Sequence, residues 1–351
     1  MEALGIDFLA AEEYRVFPPP PPDGSRGPRP SEAALALLPA IERMEPRVVV
    51  SDVLTLAPSL AAEAAGVRRA TLVPHVWPVH EPGLPFFALG MAPPRSALGR
   101  WAWRAALPAL ETGLWRGRRE LNEERARLGL SPLERAHGGI SEELALVATF
   151  PQLEYPRSWP EAVRITGPMS FEVPHPEVDL PPGDRPLVLV APSTAQDPEG
   201  RLVRATLEGL AGEPVRVLAA ANRDGPGPAV AVPENARLVD WVSYSQAMPA
   251  AALVVSHGGH GTVARALAAG LPVLVSPAAG DMAENGARVA WAGCGLMVPG
   301  RLQRPGPLRW AARRILGDER FARRAKELAA WASENDGAAR GATELERLLG
   351  G

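Results

Sequence analysis

The residues with the clearest chemical potential lie between Ser256 and Thr262, in the segment Ser-His-Gly-Gly-His-Gly-Thr. A predicted buried strand ends at Ser256 and a predicted helix begins at about Gly261 or Thr262, so the glycines form the turn between them. The first N–H groups of a helix have no partner inside it and carry partial positive charge, which favours phosphate. His257 and Thr262 add side-chain donors, and Gly259 and Gly261 let a ligand approach the backbone. The segment predicts a phosphate or diphosphate site; a turn that needs glycine only for its geometry is the alternative.

Two other strand ends carry groups that complete a nucleotide-sugar site. Trp241 follows a predicted strand, where its indole can stack on a nucleobase; core packing is its alternative role. Asp281 and Asn285 lie at a predicted helix start and can bind hydroxyls or phosphate, although aspartate is also an ordinary helix cap. Ser193, which follows another strand, and Val242 are further candidate contacts to the nucleotide sugar. Because parallel strands end at one edge of a sheet, Trp241, Asp281 and the glycine-rich turn are expected to converge on one cleft.

Alternating strands and helices must position these groups. From 187 to 298 the strand–helix order repeats, which is typical of a doubly wound α/β domain. Earlier, a strand at 47–52, a helix at 57–65 and a strand at 70–73 form a parallel βαβ unit. The acidic, proline-rich stretch from 167 to 185 has little periodicity and contains the predicted domain boundary.

That boundary gives two domains, residues 1–170 and residues 171–351. The first contains a long predicted helix at 97–128. The second ends in one predicted helix over Glu319–Leu349. The length of 351 residues is typical of two domains of ordinary size.

Composition excludes several classes of protein. With 46% hydrophobic residues and a net charge of −3, the chain is not disordered, and neither nucleic acid nor an anionic membrane is expected as its main partner. The one cysteine, Cys294, excludes a disulfide framework and a cysteine-based zinc site. The start, Met-Glu-Ala-Leu-Gly, lacks the features of a signal peptide, and no apolar run reaches the roughly 20 residues that span a bilayer. A cytoplasmic protein without a membrane span is therefore expected.

Residues 237–299 resemble the donor-binding signature of the GT-B glycosyltransferases of macrolide, glycopeptide and plant secondary-metabolite pathways. That signature is a tryptophan, then His-Gly/Cys-Gly-x-Gly/Asn-Thr/Ser, then Gly-x-Pro, then Asp-Gln-x-x-Asn. The matching segments are Trp241, His257–Thr262, Gly270–Pro272 and Asp281–Asn285. The resemblance implies two Rossmann-like domains that face a cleft, with the acceptor in the first domain and the nucleotide sugar in the second. It also implies that the last helix packs back on the first domain.

The activity implied by the resemblance is inverting transfer of a hexose from a UDP- or dTDP-sugar to a hydroxyl of an apolar small molecule. The nucleotide sugar is a co-substrate, and neither a metal nor another cofactor is implied, since helix N-termini and His257 hold the diphosphate. Weaker resemblance extends across the whole chain. Neither the acceptor, the donor sugar nor the oligomeric state follows from these residues.

The catalytic and acceptor groups are also assigned by resemblance. Asp52 ends a strand like the one whose aspartate orients the catalytic histidine of the family. The family's first strand, and the loop that carries this histidine, have no counterpart after Met1. The first domain is therefore expected to lack its first βα unit, and the chain is expected to have reduced or no transferase activity. His75 is the substitute base that we predict, and the acceptor site is expected at Trp77, Phe86 and Phe87.

Three further positions affect these expectations. Met282 replaces the glutamine that contacts the sugar in glucose users, and Arg265 stands where many UDP-sugar enzymes carry a glutamate for the ribose. Glu284 is a candidate to replace that glutamate, and His260 is expected to contribute mainly its backbone. Two alternative functions stay open: a catalytically dead GT-B homologue that binds or activates another transferase, favoured by the missing unit, and a sugar-nucleotide epimerase, disfavoured by Trp241.

Overall fold

The fold is that of a computed structural model, which describes residues 29–172, 178–193, 197, 199–221, 230–278 and 280–350. Two parallel sheets form its framework. The first has the strand order β1-β2-β3-β4: β1 (Val48–Asp52), β2 (Arg68–Val73), β3 (Ala145–Val147) and β4 (Val163–Ile165). The second has the order β10-β9-β8-β5-β6-β7: β5 (Leu187–Ala191), β6 (Arg216–Ala220), β7 (Ala236–Val239), β8 (Ala251–Ser256), β9 (Val273–Val275) and β10 (Gly295–Met297).

Helices connect the strands within each half. They are α1 (Pro30–Met44), α2 (Leu56–Ala64), α3 (Ala97–Arg127), α4 (Arg201–Leu210), α5 (Tyr244–Ala247), α6 (His260–Ala268), α7 (Met282–Ala292), α8 (Pro305–Leu316), α9 (Glu319–Glu334) and α10 (Gly337–Gly350). Short 3₁₀ turns lie at Pro151–Leu153, Met248–Ala250 and Gly300–Leu302. No helix of these described ranges is long and apolar enough to cross a membrane. The prediction of an α/β fold with two parallel sheets is confirmed.

Burial explains why the second sheet forms. All five residues of β5 are buried, as a central parallel strand covered on both faces requires. One apolar cluster joins the two halves, since Val76 and Phe150 of the first pack with Leu189 and Val254 of the second. In the first sheet, β1 lies at an edge, and Val50 on it is 43% exposed.

The single helix predicted over Glu319–Leu349 is wrong, because α9 ends at Glu334 and α10 begins at Gly337. The break occurs where the chain passes the backbone of the first half: a Cβ on Gly337 would lie 2.4 Å from the carbonyl oxygen of Gly167. Leucines of α10 then pack beneath the first sheet, against residues such as Leu146.

Candidate functional site

The strand ends of the second sheet arrange the predicted nucleotide-binding groups in a row. Trp241 follows β7 and Ser193 follows β5, while His257 follows β8 and Asp281 lies between β9 and α7. β7 is three strand spacings from β8, or roughly 14 Å at the usual separation. Trp241 is 49% exposed, which excludes the alternative in which its indole is a core side chain. Val242, next to it, is buried in the core.

The glycine-rich turn and the start of α7 are one packed unit. Gly258 has a φ of +93°, and a Cβ on it would lie 2.6 Å from the carbonyl oxygen of Met282. The Nδ2 group of Asn285 donates to the carbonyl oxygen of Gly258 at 2.8 Å. Only glycine therefore fits at 258, and the N-termini of α6 and α7 are held together at this edge.

Two N–H groups at the N-terminus of α6 have no hydrogen-bond partner among the described residues. Thr262 and Val263 N–H both donate to the carbonyl oxygen of Gly259, at 3.1 Å, so the N–H groups of His260 and Gly261 precede the first internal hydrogen bonds of the helix. The backbone at Gly261 is exposed, while Thr262 is buried. This is the arrangement that accepts an anion.

His257 lies beside the same turn. Its Nδ1 is 3.2 Å from the carbonyl oxygen of Ala191, and because a carbonyl only accepts, Nδ1 carries the hydrogen. Burial lowers the pKa of His257, against the opposing effects of the Ala191 carbonyl and of the charges on Asp281 and Asp197. The ring is therefore neutral at pH 7, with its unprotonated Nε2 over Gly259.

His260 contributes its side chain, which corrects the expectation that its backbone matters most. Its Nδ1 is 3.2 Å from Oδ1 of Asn285, and its Nε2 is 3.2 Å from the carbonyl oxygen of Ala148, at the end of β3. A neutral ring carries one hydrogen and donates to one of these two oxygens, and its position between them puts it in contact with both halves of the chain. Asn285 is itself buried and uses both amide atoms in these contacts, so its predicted contact with a ligand stays a prediction.

The buried imidazole of His260 predicts acid sensitivity. Burial lowers the pKa of His260 from 6.5 to about 4, against the opposing effect of its contact with Asn285. Between these values the unfolded chain binds a proton that the folded chain does not, so the stability present above pH 6.5 is lost as the pH falls towards 4. We expect this residue alone to lower the free energy of unfolding by about 3 kcal/mol over that range.

Urea unfolding across that pH range, for the native chain and a His260→Gln variant, measures the contribution. The native chain should lose more stability on acidification than the variant. Equal losses in the two proteins would contradict the assignment, because the other buried histidines titrate alike in both.

The two predicted catalytic groups make separate contacts. Nδ1 of buried His75 lies 2.7 Å from the carbonyl oxygen of Val76, and its ring stacks on Phe87 with 5.0 Å between centroids. Oδ1 of Asp52 accepts the N–H of Leu54 at 2.7 Å. Among the described residues, no direct hydrogen bond joins Asp52 to His75, and the carbonyl of Val76 is the group that holds the ring. Its stacking partner Phe87 packs against the apolar cluster that joins the halves, which places His75 close to their junction.

The predicted acceptor residues differ in exposure. Trp77 is buried in the core of the first half, edge-on to Trp159, and Phe86 is buried with its ring 3.9 Å from that of His80. Phe87 is half-buried, between His75 and the apolar cluster that joins the halves. Phe87 is therefore the predicted acceptor residue whose ring contacts the predicted base.

A buried charge cluster at the junction was missed by the sequence reasoning. Arg288 of α7 is fully buried: its Nε donates to Glu284 at 2.8 Å, its Nη1 donates to Glu154 of the first half at 2.9 Å, and its guanidinium lies 3.6 Å from the ring of Tyr155. The other oxygen of Glu154 accepts the backbone N–H of Trp77 at 2.7 Å. This cluster connects α7 to the loop that carries the predicted acceptor residues.

The contacts of Glu284 and Arg265 change the expectation about the ribose. Glu284 is fully buried beside Arg288, and burial raises its pKa, so its predicted role as a substitute for the family's glutamate is wrong. Nη2 of Arg265 donates to the carbonyl oxygen of Phe171 at 2.5 Å. Neither residue offers a carboxylate to a ligand at this edge.

Comparisons with known proteins find one matching family model and curated relatives that cover most of the chain. Residues 205–345 match the family of erythromycin biosynthesis protein CIII-like C-terminal domains. The chain is 29% identical over 297 residues to 4′-demethylrebeccamycin synthase of Lentzea aerocolonigenes, covering 81% of this chain and 70% of that protein. It is 28% identical over 322 residues to zeaxanthin glucosyltransferase of Pseudescherichia vulneris, covering 90% and 77%.

Solved structures show the same fold. The calicheamicin glycosyltransferase CalG4 matches with a TM-score of 0.66 and 23% identity, over 92% of this chain and 80% of that one. The glycosyltransferase VinC, in complex with dTDP, matches with a TM-score of 0.61 and 20% identity, over 91% and 76%.

Proposed function

We infer that the chain is a GT-B glycosyltransferase of the natural-product type, and we propose that it transfers a hexose, with inversion, from a nucleoside diphosphate sugar to a hydroxyl of an apolar small molecule. The observation that carries this proposal is the packed unit formed by the glycine-rich turn, the N-terminus of α6 and the start of α7. Relatives support the substrate class, because one is named a zeaxanthin glucosyltransferase and VinC was solved with dTDP.

The nucleotide sugar is proposed to lie along the strand ends of the second sheet. The base stacks on Trp241, with Val242 and Ser193 near the nucleoside. Next to Gly259, the diphosphate meets the N–H groups of His260 and Gly261, and the sugar lies towards Asp281 and Asn285. The row of roughly 14 Å from β7 to β8, with the start of α7 beyond it, supports this order because an extended nucleotide sugar needs such a length.

His257 is proposed to gain a proton when the diphosphate binds. Its Nδ1 hydrogen already faces Ala191, so a neutral ring offers Nε2 only as an acceptor. Negative phosphate oxygens stabilise the imidazolium and supply acceptors for Nε2–H. The helix N-termini and this cation then stabilise the charge that develops on the leaving diphosphate, and we propose that no metal is needed.

His75 is the proposed general base. Its Nδ1 hydrogen faces the carbonyl of Val76, so the neutral ring has its lone pair on Nε2. Nε2 takes the proton of the acceptor hydroxyl while that oxygen bonds to the anomeric carbon and the bond to the diphosphate breaks on the opposite face. Both ring nitrogens of His75 are then in use, so Asp52 is proposed to act only through its negative charge. Phe87 is proposed to provide the apolar side of the acceptor site, with the buried Trp77 and Phe86 supporting it from the core.

Replacing Thr262 with valine should weaken nucleoside diphosphate binding by about 1 to 3 kcal/mol, the range for a hydrogen bond to a charged group. Isothermal titration with dTDP measures the loss. Thr343→Val on α10, whose hydroxyl donates to the Ala339 carbonyl, is the matched control and should bind like the native chain. Equal affinities of the Thr262→Val variant and the native chain would remove Thr262 from the site.

A second titration tests the nucleotide preference. With Arg265 bound to Phe171 and Glu284 buried, the ribose 2′-hydroxyl lacks both expected carboxylates, so dTDP should bind about as well as UDP. Deoxyuridine diphosphate separates the effect of the hydroxyl from that of the thymine methyl group. Tenfold tighter binding of UDP than of the deoxy compound would contradict this prediction.

A further inference from the structure

The first turns of α3 expose an apolar face that no other described part of the chain covers. Leu98 is 73% exposed and Trp101 67%. With 3.6 residues per turn, these side chains and those of Ala105 and Ala109 lie within about 80° of one another around the helix. Large exposed apolar surfaces on one helix face mark interaction sites.

The opposite face of α3 holds the helix in place. Trp103 is buried, its Nε1 donates to the carbonyl oxygen of Leu84 at 3.1 Å, and its ring is 6.0 Å from that of Phe86. Leu107 and Leu114 on this side are half-buried. The outward direction of Trp101 is thus set by packing, and the face is part of the folded structure.

The charge around this face differs from that of the whole chain. Residues 95–110 contain three arginines and no acidic residue, whereas the whole chain has a net charge of −3. Arg100 and Arg104 are exposed on one side of the apolar face. Further along α3, Arg116 and Arg119 pair with Glu120 and Glu123. The overall charge, from which no affinity for an anionic surface was expected, therefore hides a local basic cluster at the start of α3.

We propose that this face of α3 binds the surface of a bilayer that contains anionic phospholipid, with the helix parallel to the membrane plane. A helix with tryptophan and leucine on one side and arginines beside them is suited to the headgroup region. α3 is not apolar enough to cross the membrane, which leaves the in-plane orientation. A second copy of the chain fits less well, because pairing through the same face would bring the exposed arginines of the two copies, Arg100 and Arg104, close together.

The apolar face of α3 lies close to the proposed acceptor site, which suggests what membrane binding contributes. The buried side of α3 contacts Leu84 and Phe86, in the loop proposed to hold the acceptor. An apolar acceptor dissolved in the bilayer would therefore reach the site without crossing water. This use rests on the proposed function, whereas membrane binding does not and is measured without any substrate.

Co-sedimentation with vesicles tests the proposal. The native chain should bind vesicles of phosphatidylcholine mixed with phosphatidylglycerol and bind pure phosphatidylcholine weakly, with binding to the mixture reduced by salt. An Arg100→Gln/Arg104→Gln variant should bind the mixed vesicles about 30-fold more weakly, since each arginine near the surface contributes about fivefold. A Leu98→Ser/Trp101→Ser variant should lose at least tenfold.

Trp310→Ser on α8 is the matched control, because Trp310 is 65% exposed and lies beside Arg309. It should bind the mixed vesicles like the native chain. Equal binding of the native chain to both kinds of vesicle would overturn the proposal, and so would a loss of binding with Trp310→Ser as large as that with Leu98→Ser/Trp101→Ser. A third contrary result is a Leu98→Ser/Trp101→Ser variant that binds vesicles like the native chain but has a different molecular mass in light scattering. That result would assign the face to a second copy.

Discussion

Replacing His75 with alanine is expected to lower kcat by about 10²- to 10⁴-fold, the usual contribution of a general base. The expectation rests on the ring's position: His75 is buried near the junction of the two halves, and its Nδ1 hydrogen faces the carbonyl of Val76. Nucleotide affinity should be unchanged, because the donor groups lie on the second sheet. Turnover measured with saturating donor, together with titration of dTDP, separates the two effects.

His80→Ala is the matched control, since His80 lies in the same loop and stacks on Phe86 but has no assigned role in catalysis. Its kcat should stay close to that of the native chain. Asp52→Asn should cause a smaller loss than His75→Ala, because Asp52 makes no direct hydrogen bond to His75 among the described residues. A His75→Ala variant with native turnover would dismiss His75 as the base.

Replacing Arg288 with alanine is expected to destabilise the chain by about 3 to 5 kcal/mol, the cost of removing one partner from a buried ion pair. The substitution leaves Glu154 and Glu284 buried without their cation. It also frees α7 from the loop held by the bond between Glu154 and the N–H of Trp77. Urea unfolding measures the free-energy loss.

The exposed pair formed by Arg116 and Glu120 on α3 is the control. Its two charged groups are 3.1 Å apart, and the side chains are 73% and 59% exposed. Arg116→Ala should therefore cost no more than about 1 kcal/mol. Similar losses for the two variants would show that the junction cluster has no special part in holding the halves together.

The parts of the site that the sequence predicted are local in the chain. The strand ending at Ser256, the glycine-rich turn and the following helix are adjacent, and glycine together with runs of β-branched residues indicates each boundary directly. The same holds for β5, whose uninterrupted apolar run predicted a strand buried on both faces. Family resemblance added the order of the ligand groups along the edge.

The parts that the sequence did not predict depend on contacts between distant segments. Glu284 and Arg288 are four residues apart, a spacing that normally indicates an exposed pair on a helix, and only the approach of Glu154 makes the pair a buried cluster. The contact of His260 with Ala148 likewise joins residues from both halves. The break before Gly337 occurs where the chain passes close to the backbone of Gly167. The helical spacing of apolar residues carries no information about such a distant contact.

Product analysis tests the central claim most directly. The native chain is incubated with an α-linked nucleoside diphosphate hexose and an apolar acceptor alcohol, and the anomeric coupling of the isolated glycoside is read by proton NMR. We expect a β-glycoside and release of one nucleoside diphosphate for each glycoside formed, with both reduced in parallel by Thr262→Val at limiting donor. An α-glycoside, or release of nucleoside diphosphate without any glycoside, would contradict the proposed inverting transfer.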